Sequence, residues 1–326
     1  MRRREFITLV SGASAWPLVA RAQEPGRTYR LGLILASPPE SPAFVAMLDE
    51  LRLNGFVQGQ NMLIVPSSFG STDASLASRA AALIKDNPDV IVGGPELQIQ
   101  AVRALTRTIP IVGMTEDMVA EGFVQSLARP GGNITGISLL SPELDGKRQD
   151  ILIEIVPKAR HIAAIADGRV TTPSHIQALQ QGAKSRGVEF SVFSVNEPKE
   201  IASAIETAKA SGCEAINFLA SPLFSVPTSH NHEIVVKSLA AVRLPAIFQW
   251  PETAETDSLA AYGPRITDMY RQRARMTVKI LRGANPSDIP VEQPERFEFV
   301  INLKAAKAIG VDVPAGLVAR ADKLIE

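Results

Sequence analysis

The sequence predicts an α/β protein built as two Rossmann-like lobes, each a mainly parallel sheet with helices packed on it. Two patterns lead to this. From Tyr29 onward, short apolar runs alternate with longer amphipathic ones, as βα units require. About nine strand segments occur, too many for one mononucleotide-binding sheet and suited to two units in tandem. Near the midpoint, Ala128-Arg129-Pro130-Gly131-Gly132-Asn133 forces a turn between the two series.

The elements follow in order. A strand is expected at 31–36, then a helix from Ser41 to Asn54. In that helix Phe44, Met47, Leu48 and Leu51 share one face, Ser41 is placed to cap it, Pro42 takes the first helical position and Gly55 ends it. The design repeats in a strand at 62–66 and a helix at 73–85, with Leu76, Ala80, Leu83 and Ile84 inward and Asp73 as cap. Strands at 90–93, 109–113 and 134–138 alternate with helices at 97–106 and 119–128. The second half should carry strands at 162–166, 189–195, 215–219 and 246–250, with helices at 144–155, 173–185, 198–210, 233–241 and 266–281.

At 326 residues and 35.0 kDa the chain is long enough for two buried cores. Basic and acidic side chains balance at 34 each, but unevenly. The first 22 residues carry a net +3, leaving the remainder at −3, with no basic stripe interleaved with aromatics. That excludes a nucleic-acid footprint. One cysteine, Cys213, and four histidines leave no material for a disulfide or a soft structural metal site, and no cofactor is expected.

The N-terminus reads as an export signal spanning residues 1–22. A basic start at Met1–Arg4, a mostly apolar or small run from Phe6 to Ala20, and the small-x-small triplet Ala20-Arg21-Ala22 supply its three parts. Arg3-Arg4-Glu5-Phe6-Ile7 is similar to the twin-arginine type. No later run approaches 18 uninterrupted apolar residues, so the expected location is periplasmic and soluble, without a membrane-embedded segment.

Catalytic motifs are missing. Neither Gly-x-Gly-x-x-Gly, Walker A, nor Gly-x-Ser-x-Gly occurs, and no catalytic residue is nominated. His230 and His232 lie two apart and diverge on a helix, and Cys213 reads as a small core residue. Ligands of open parallel sheets bind at the carboxyl ends of the strands, so the turns there carry the functional weight. The candidates are Ser37, Pro38 and Ser41 after the first strand, and Pro95 and Glu96 after the third. Thr115, Glu116 and Asp117 follow the fourth, Asp167 and Arg169 the sixth, and Ser221 and Phe224 the eighth. Gln249, Trp250 and Glu252 follow the ninth, and Tyr262 completes the set. Backbone N–H groups and hydroxyls would meet a carboxylate, acidic side chains an ammonium, and Phe224 or Trp250 an apolar or ring moiety.

Several blocks together resemble the TrpX-like family of ABC-importer substrate-binding proteins. They are Gly55-Phe56-Val57-Gln58-Gly59-Gln60-Asn61, the run from Ser126 to Gly136, Ser141-Pro142-Glu143-Leu144-Asp145-Gly146-Lys147-Arg148, Tyr262-Gly263-Pro264, and the closing stretches at 297–303, 305–310 and 317–322. The resemblance implies a class I periplasmic-binding-protein fold with the ligand cleft between the lobes. The first lobe would take 28–136 plus about 257–285, and the second 137–256 plus about 286–326. It also implies a small-molecule ligand, an amino acid or aromatic compound, and an ABC permease and ATPase as partners of a monomer. A ligand-presenting sensor and, further off, an enzyme on the same fold are the alternatives. Three turns depart from the commoner pattern: Pro95-Glu96, Glu116-Asp117-Met118 and Asp167-Gly168-Arg169. The extra carboxylates favour a ligand with a cationic group, while Arg169 would suit a carboxylate.

Overall fold

The computed structural model describes residues 26–35, 39–69, 75–225 and 230–326. The first lobe begins with β1 (Tyr29–Leu35), α1 (Pro42–Leu53), β2 (Met62–Ile64) and α2 (Leu76–Lys85). It continues through β3 (Val90–Gly94), α3 (Glu96–Arg103), β4 (Ile111–Thr115) and β5 (Ile134–Ser138). The strands pair in the order β2-β1-β3-β4-β5, all parallel, with Leu31 opposite Val90 and Thr115 opposite Ser138.

The second sheet is assembled from a longer stretch. Its elements are α4 (Ser141–Ile155), β6 (His161–Asp167), α5 (Pro173–Ser185), β7 (Glu189–Val195), α6 (Ile201–Ala210), β8 (Ala215–Phe218), α7 (Pro222–Ser225), α8 (His230–Val242), β9 (Ala246–Phe248), α9 (Pro251–Thr256) and β10 (Ala260–Gly263). After α10 (Ile266–Leu281) come β11 (Glu298–Asn302), α11 (Leu303–Ile309), α12 (Ala315–Val318) and β12 (Lys323–Ile325). The strand order is β12-β11-β10-β9-β8-β6-β7, parallel except for the β10–β11 pair.

Sheets covered on both faces need strands that are apolar throughout rather than alternating. Val90, Ile91 and Val92 are fully buried, as are Ile162 to Ala166. Each large aliphatic so buried contributes roughly 1.5–3 kcal/mol. Close strand ends also constrain glycines. A Cβ on Gly263 would lie 2.0 Å from the Gln249 carbonyl oxygen, and one on Gly94, at φ +148°, would lie 2.8 Å from that of Met114. The strand ends approach too closely there for any residue but glycine.

The chain crosses between lobes three times. It leaves β5 through Leu139-Leu140 into α4, and leaves β10 through Pro264-Arg265 into α10. Helix α10 packs along α1 and over β3, β4 and β5, and its Ile266, Met269, Tyr270 and Met276 join the first-lobe core. The return passes Glu292, whose N–H donates to Gly136 O at 2.9 Å and whose carbonyl accepts from Ser138 N at 3.0 Å.

The strand pairing therefore divides the segments expected at about 257–285 and 286–326. β10 lies inside the second sheet because it pairs with both β9 and β11, whereas α10 belongs with the first lobe. Ile289 and Val291 are buried in first-lobe cores, and the chain rejoins the second sheet only at β11. The helix expected at 119–128 is replaced by turns. Asp117 Oδ1 accepts from the N–H groups of Val119 and Ala120, each at 3.0 Å, and Gly122 takes φ +69°. Helix α2 is capped by Ser75, whose Oγ accepts from Ser78 N at 3.2 Å, while Asp73 lies outside the described residues.

Candidate ligand cleft

The carboxyl ends of β3, β4, β6, β8 and β9 face one another across the lobes and enclose two adjoining cavities. The larger, about 280 Å³, is walled on the first-lobe side by Glu96, Gln100, Glu116, Asp117 and Glu121. Its second-lobe wall is formed by Ser141, Asp145, Arg169, Thr172 and His175. The smaller, about 40 Å³, is lined by Pro95, Met114, Leu139, Gln249, Trp250, Tyr270 and Arg273. Glu116 lines both.

Each wall is fixed by the fold. Glu96 opens α3 directly after β3 and is 4% exposed, with Oε1 accepting from Glu116 N at 3.4 Å. Glu116 follows β4 and accepts a hydrogen bond across the lobes from the Ser141 hydroxyl at the start of α4. Glu121 Oε1 accepts from Asp117 N at 3.0 Å. Burial raises the Glu96 carboxyl above its ordinary value, and nearby Asp167 adds to it. Burial also raises Glu116 well above its ordinary value, reinforced by Glu96, Asp145 and Glu121 and partly opposed by Arg148. Glu121 is pushed up to about 8 by burial and by Glu96. The carboxyls crowd one another in a half-dry space.

The opposite wall carries matched charges. Asp145 and Arg148 form an ion pair in which both side chains are fully buried, with Arg148 Nη1 also donating to Tyr262 O at 3.0 Å. Asp145 further accepts from Ala220 N at 3.2 Å and stands 3.2 Å from His175 Nε2. Asp167 is 1% exposed and accepts from Arg169 N, Nε and Nη2 and from the Ser221 hydroxyl at 2.8 Å. Burial opposes its ionisation, but these donors outweigh it and hold Asp167 below the usual carboxylate range. Arg169 is thus committed to Asp167.

The predicted residues separate into three groups. Pro95, Glu96, Glu116, Asp117, Arg169, Gln249 and Trp250 line the cavities. Thr115, Asp167 and Ser221 sit buried immediately behind them, the last two as one hydrogen-bonded unit. The rest lie elsewhere. Ser41 caps α1, accepting from Phe44 N at 3.3 Å. Phe224 is fully buried in the second-lobe core, tilted against Phe218 at 5.7 Å, because its strand-end turn folds inward as α7. Tyr262 stacks on Phe297 at 6.3 Å, and Glu252 lies on α9 outside both cavities. Ser37 and Pro38 lie outside the described residues.

Glu121, Ser141, Asp145, His175, Tyr270 and Arg273 were not among the predicted contacts. Arg273 had a readable signal. It falls in register with Ile266, Met269, Tyr270, Thr277 and Ile280 on the apolar face of α10, where an arginine is out of place. Arg148 repeats the pattern among Leu144, Ile151, Leu152 and Ile155 on α4.

Two lobes of parallel sheet, joined by three crossings and enclosing a cavity at their carboxyl strand ends, have the class I periplasmic-binding-protein fold. The chain belongs to the ABC transporter substrate binding protein family, which it matches over residues 40–325. It is similar to a tyrosine-binding protein of Clostridioides difficile (strain R20291), 25% identical over 280 residues, or 85% of this chain and 79% of that protein. It resembles the solved ABC domain from Streptococcus pneumonia in complex with L-Trp, at TM-score 0.76 and 22% identity, covering 91% of this chain and 100% of that one. A conserved domain protein from Vibrio cholerae matches at TM-score 0.78 and 22% identity, covering 91% and 99%. Proteins of this family typically work outside the cytoplasm, and among the described residues no helix is long and apolar enough to cross a membrane.

Proposed function

We propose that this chain is the exported, periplasmic receptor of an ABC importer, which holds an amino acid or aromatic compound between its lobes and presents it unchanged to a permease and ATPase. The observation that carries this reading is the cavity of about 280 Å³ walled by polar side chains from both lobes. A solute that touches both walls binds the closed arrangement better than an open one, and that difference drives closure. The amino-acid class comes from the relatives that bind tyrosine and L-Trp. Residues 1–22 are read as a twin-arginine export signal, removed before a monomer acts. The ligand contacts are assigned to Pro95, Glu96, Glu116, Asp117, Arg169, Gln249 and Trp250, with no catalytic role for any of them.

Trp250 gives a direct test, since the chain's other tryptophan is Trp16 in the signal. Its emission and the melting temperature are followed across amino acids, aromatic acids, amines and small dipeptides. One chemical class should shift both, with about 2.7 kcal/mol of added stability at 100 times its dissociation constant. Appearance of a product from the added solute would overturn the receptor reading.

A further inference from the structure

The ionisable groups around the cleft are not partnered in the same way on its two sides, and this bears on what it holds. Every arginine on the second-lobe side is already paired, Arg169 with Asp167 and Arg148 with Asp145. On the first-lobe side Glu96, Glu116 and Glu121 gather with Asp117, and among the described residues none of the three glutamates has a Lys or Arg within ion-pair distance. The adjoining cavity holds the opposite imbalance. Arg273 is 1% exposed, and among the described residues no carboxylate pairs with it. Its Nη2 donates to Gly93 O at 2.7 Å and its guanidinium lies 5.0 Å from the Tyr270 ring centre, but Nε is buried without a partner. A buried guanidinium held by a carbonyl and a tyrosine but by no carboxylate is costly unless an anion arrives to meet it. Glu116 lines both cavities, so one molecule can reach both imbalances past it.

We propose, resting on the receptor reading above, that the cargo is a zwitterion with a further cationic end. Its carboxylate meets Arg273, its ammonium lies beside Glu116, and an ammonium or guanidinium at its far end meets Glu96 and Glu121. The 40 Å³ cavity at Arg273 is large enough for a carboxylate-sized group, and the 280 Å³ cavity takes the chain behind it. A neutral side chain would leave Glu96 and Glu121 desolvated beside apolar groups, whereas a cation supplies donors to them. This selects for basic rather than aromatic amino-acid-like solutes.

The test compares matched probes by isothermal titration of the purified protein: L-arginine against L-citrulline, and L-lysine against L-norleucine. Each pair keeps nearly the same shape and changes the end charge. The cationic member of at least one pair should bind about tenfold or more tightly than its neutral partner. In a Glu96→Gln, Glu121→Gln variant that ratio should fall toward one while the melting temperature holds or rises. Arg273→Met should weaken binding of that cationic probe by about tenfold or more, and Arg273→Lys should recover part of the loss. Equal or tighter binding of the neutral member in both pairs overturns the proposal. So does binding of L-tryptophan or L-tyrosine with no heat from either cationic probe, and that result leaves the receptor reading intact. Silence from every amino acid overturns the proposal, and silence from the aromatic acids, amines and dipeptides as well overturns the receptor reading.

Discussion

Arg273 Nη2 donates to the carbonyl oxygen of Gly93 at 2.7 Å, tying α10 to the end of β3 at the base of the cleft. The guanidinium holds its place without an acidic partner among the described residues, and burial lowers its affinity for the proton. Its cost is borne by the ligand-free protein. Arg273→Met should therefore leave the ligand-free melting temperature unchanged or higher, since buried charges replaced by apolar groups of similar volume are often neutral or stabilising. Solute binding should weaken about tenfold or more at the same time. Differential scanning fluorimetry with a parallel titration separates the two effects, and a large loss of stability would assign Arg273 to structure instead.

Protonation of the first-lobe carboxyls sets a pH dependence. Glu121 is raised from 4.5 to about 8, so its contribution to folded stability is complete below pH 4.5 and is lost as pH rises through about 8. Glu96 and Glu116 shift in the same direction. The ligand-free melting temperature should fall between pH 5 and 8, and Glu121→Gln should flatten that fall. Asp167 runs the other way: its lowered value makes its contribution disappear as pH falls below 3.8. Melting curves from pH 3 to 9 read both limbs, and an identical slope in Glu121→Gln would contradict the first.

The buried pair Asp145–Arg148 holds the mouth of α4 against Ala220 and Tyr262. Asp145→Ala strands the arginine, which costs about 3–5 kcal/mol when one partner of a buried pair is removed. Urea unfolding should register that loss. A change under about 1 kcal/mol would mean that water replaces the carboxylate.

Trp250 belongs by sequence to the second lobe, yet it packs in the first-lobe core with Ile266 and Tyr270 and is 5% exposed. Its emission should be blue-shifted in the closed protein, and Trp250→Phe should weaken solute binding more than it lowers the melting temperature. Trp250→Ala should cost about 3–5 kcal/mol. Emission typical of exposed tryptophan would place it in solvent rather than between the lobes.

The lobes were readable in sequence because strands buried on both faces, such as Val90 to Val92 and Ile162 to Ala166, stand out as unbroken apolar runs. Strands at 260–263, 298–302 and 323–325 were not among the nine expected. Ala260-Ala261-Tyr262-Gly263 and Lys323-Leu324-Ile325 are too short or mixed to signal a strand, and their pairing comes from the crossings. The same holds for the cleft. Residues directly after strands, including Glu96, Glu116 and Arg169, were visible from the rule for parallel sheets. Asp145, His175 and Arg273 project from helices, and of these only Arg273 is marked in the sequence, by its register against apolar neighbours. Phe224 misled because an aromatic at a strand end serves a core as well as a site.

In the receptor proposed above, one solute sits between the lobes against Glu116 and Arg273 and leaves unchanged. Titration calorimetry with the recovered solute examined by NMR measures this most directly. One solute per chain, recovered intact and bound about tenfold or more weakly in Arg273→Met, is the predicted result. Conversion of the solute, or binding that is indifferent to Arg273 and Glu116 substitutions, would contradict it.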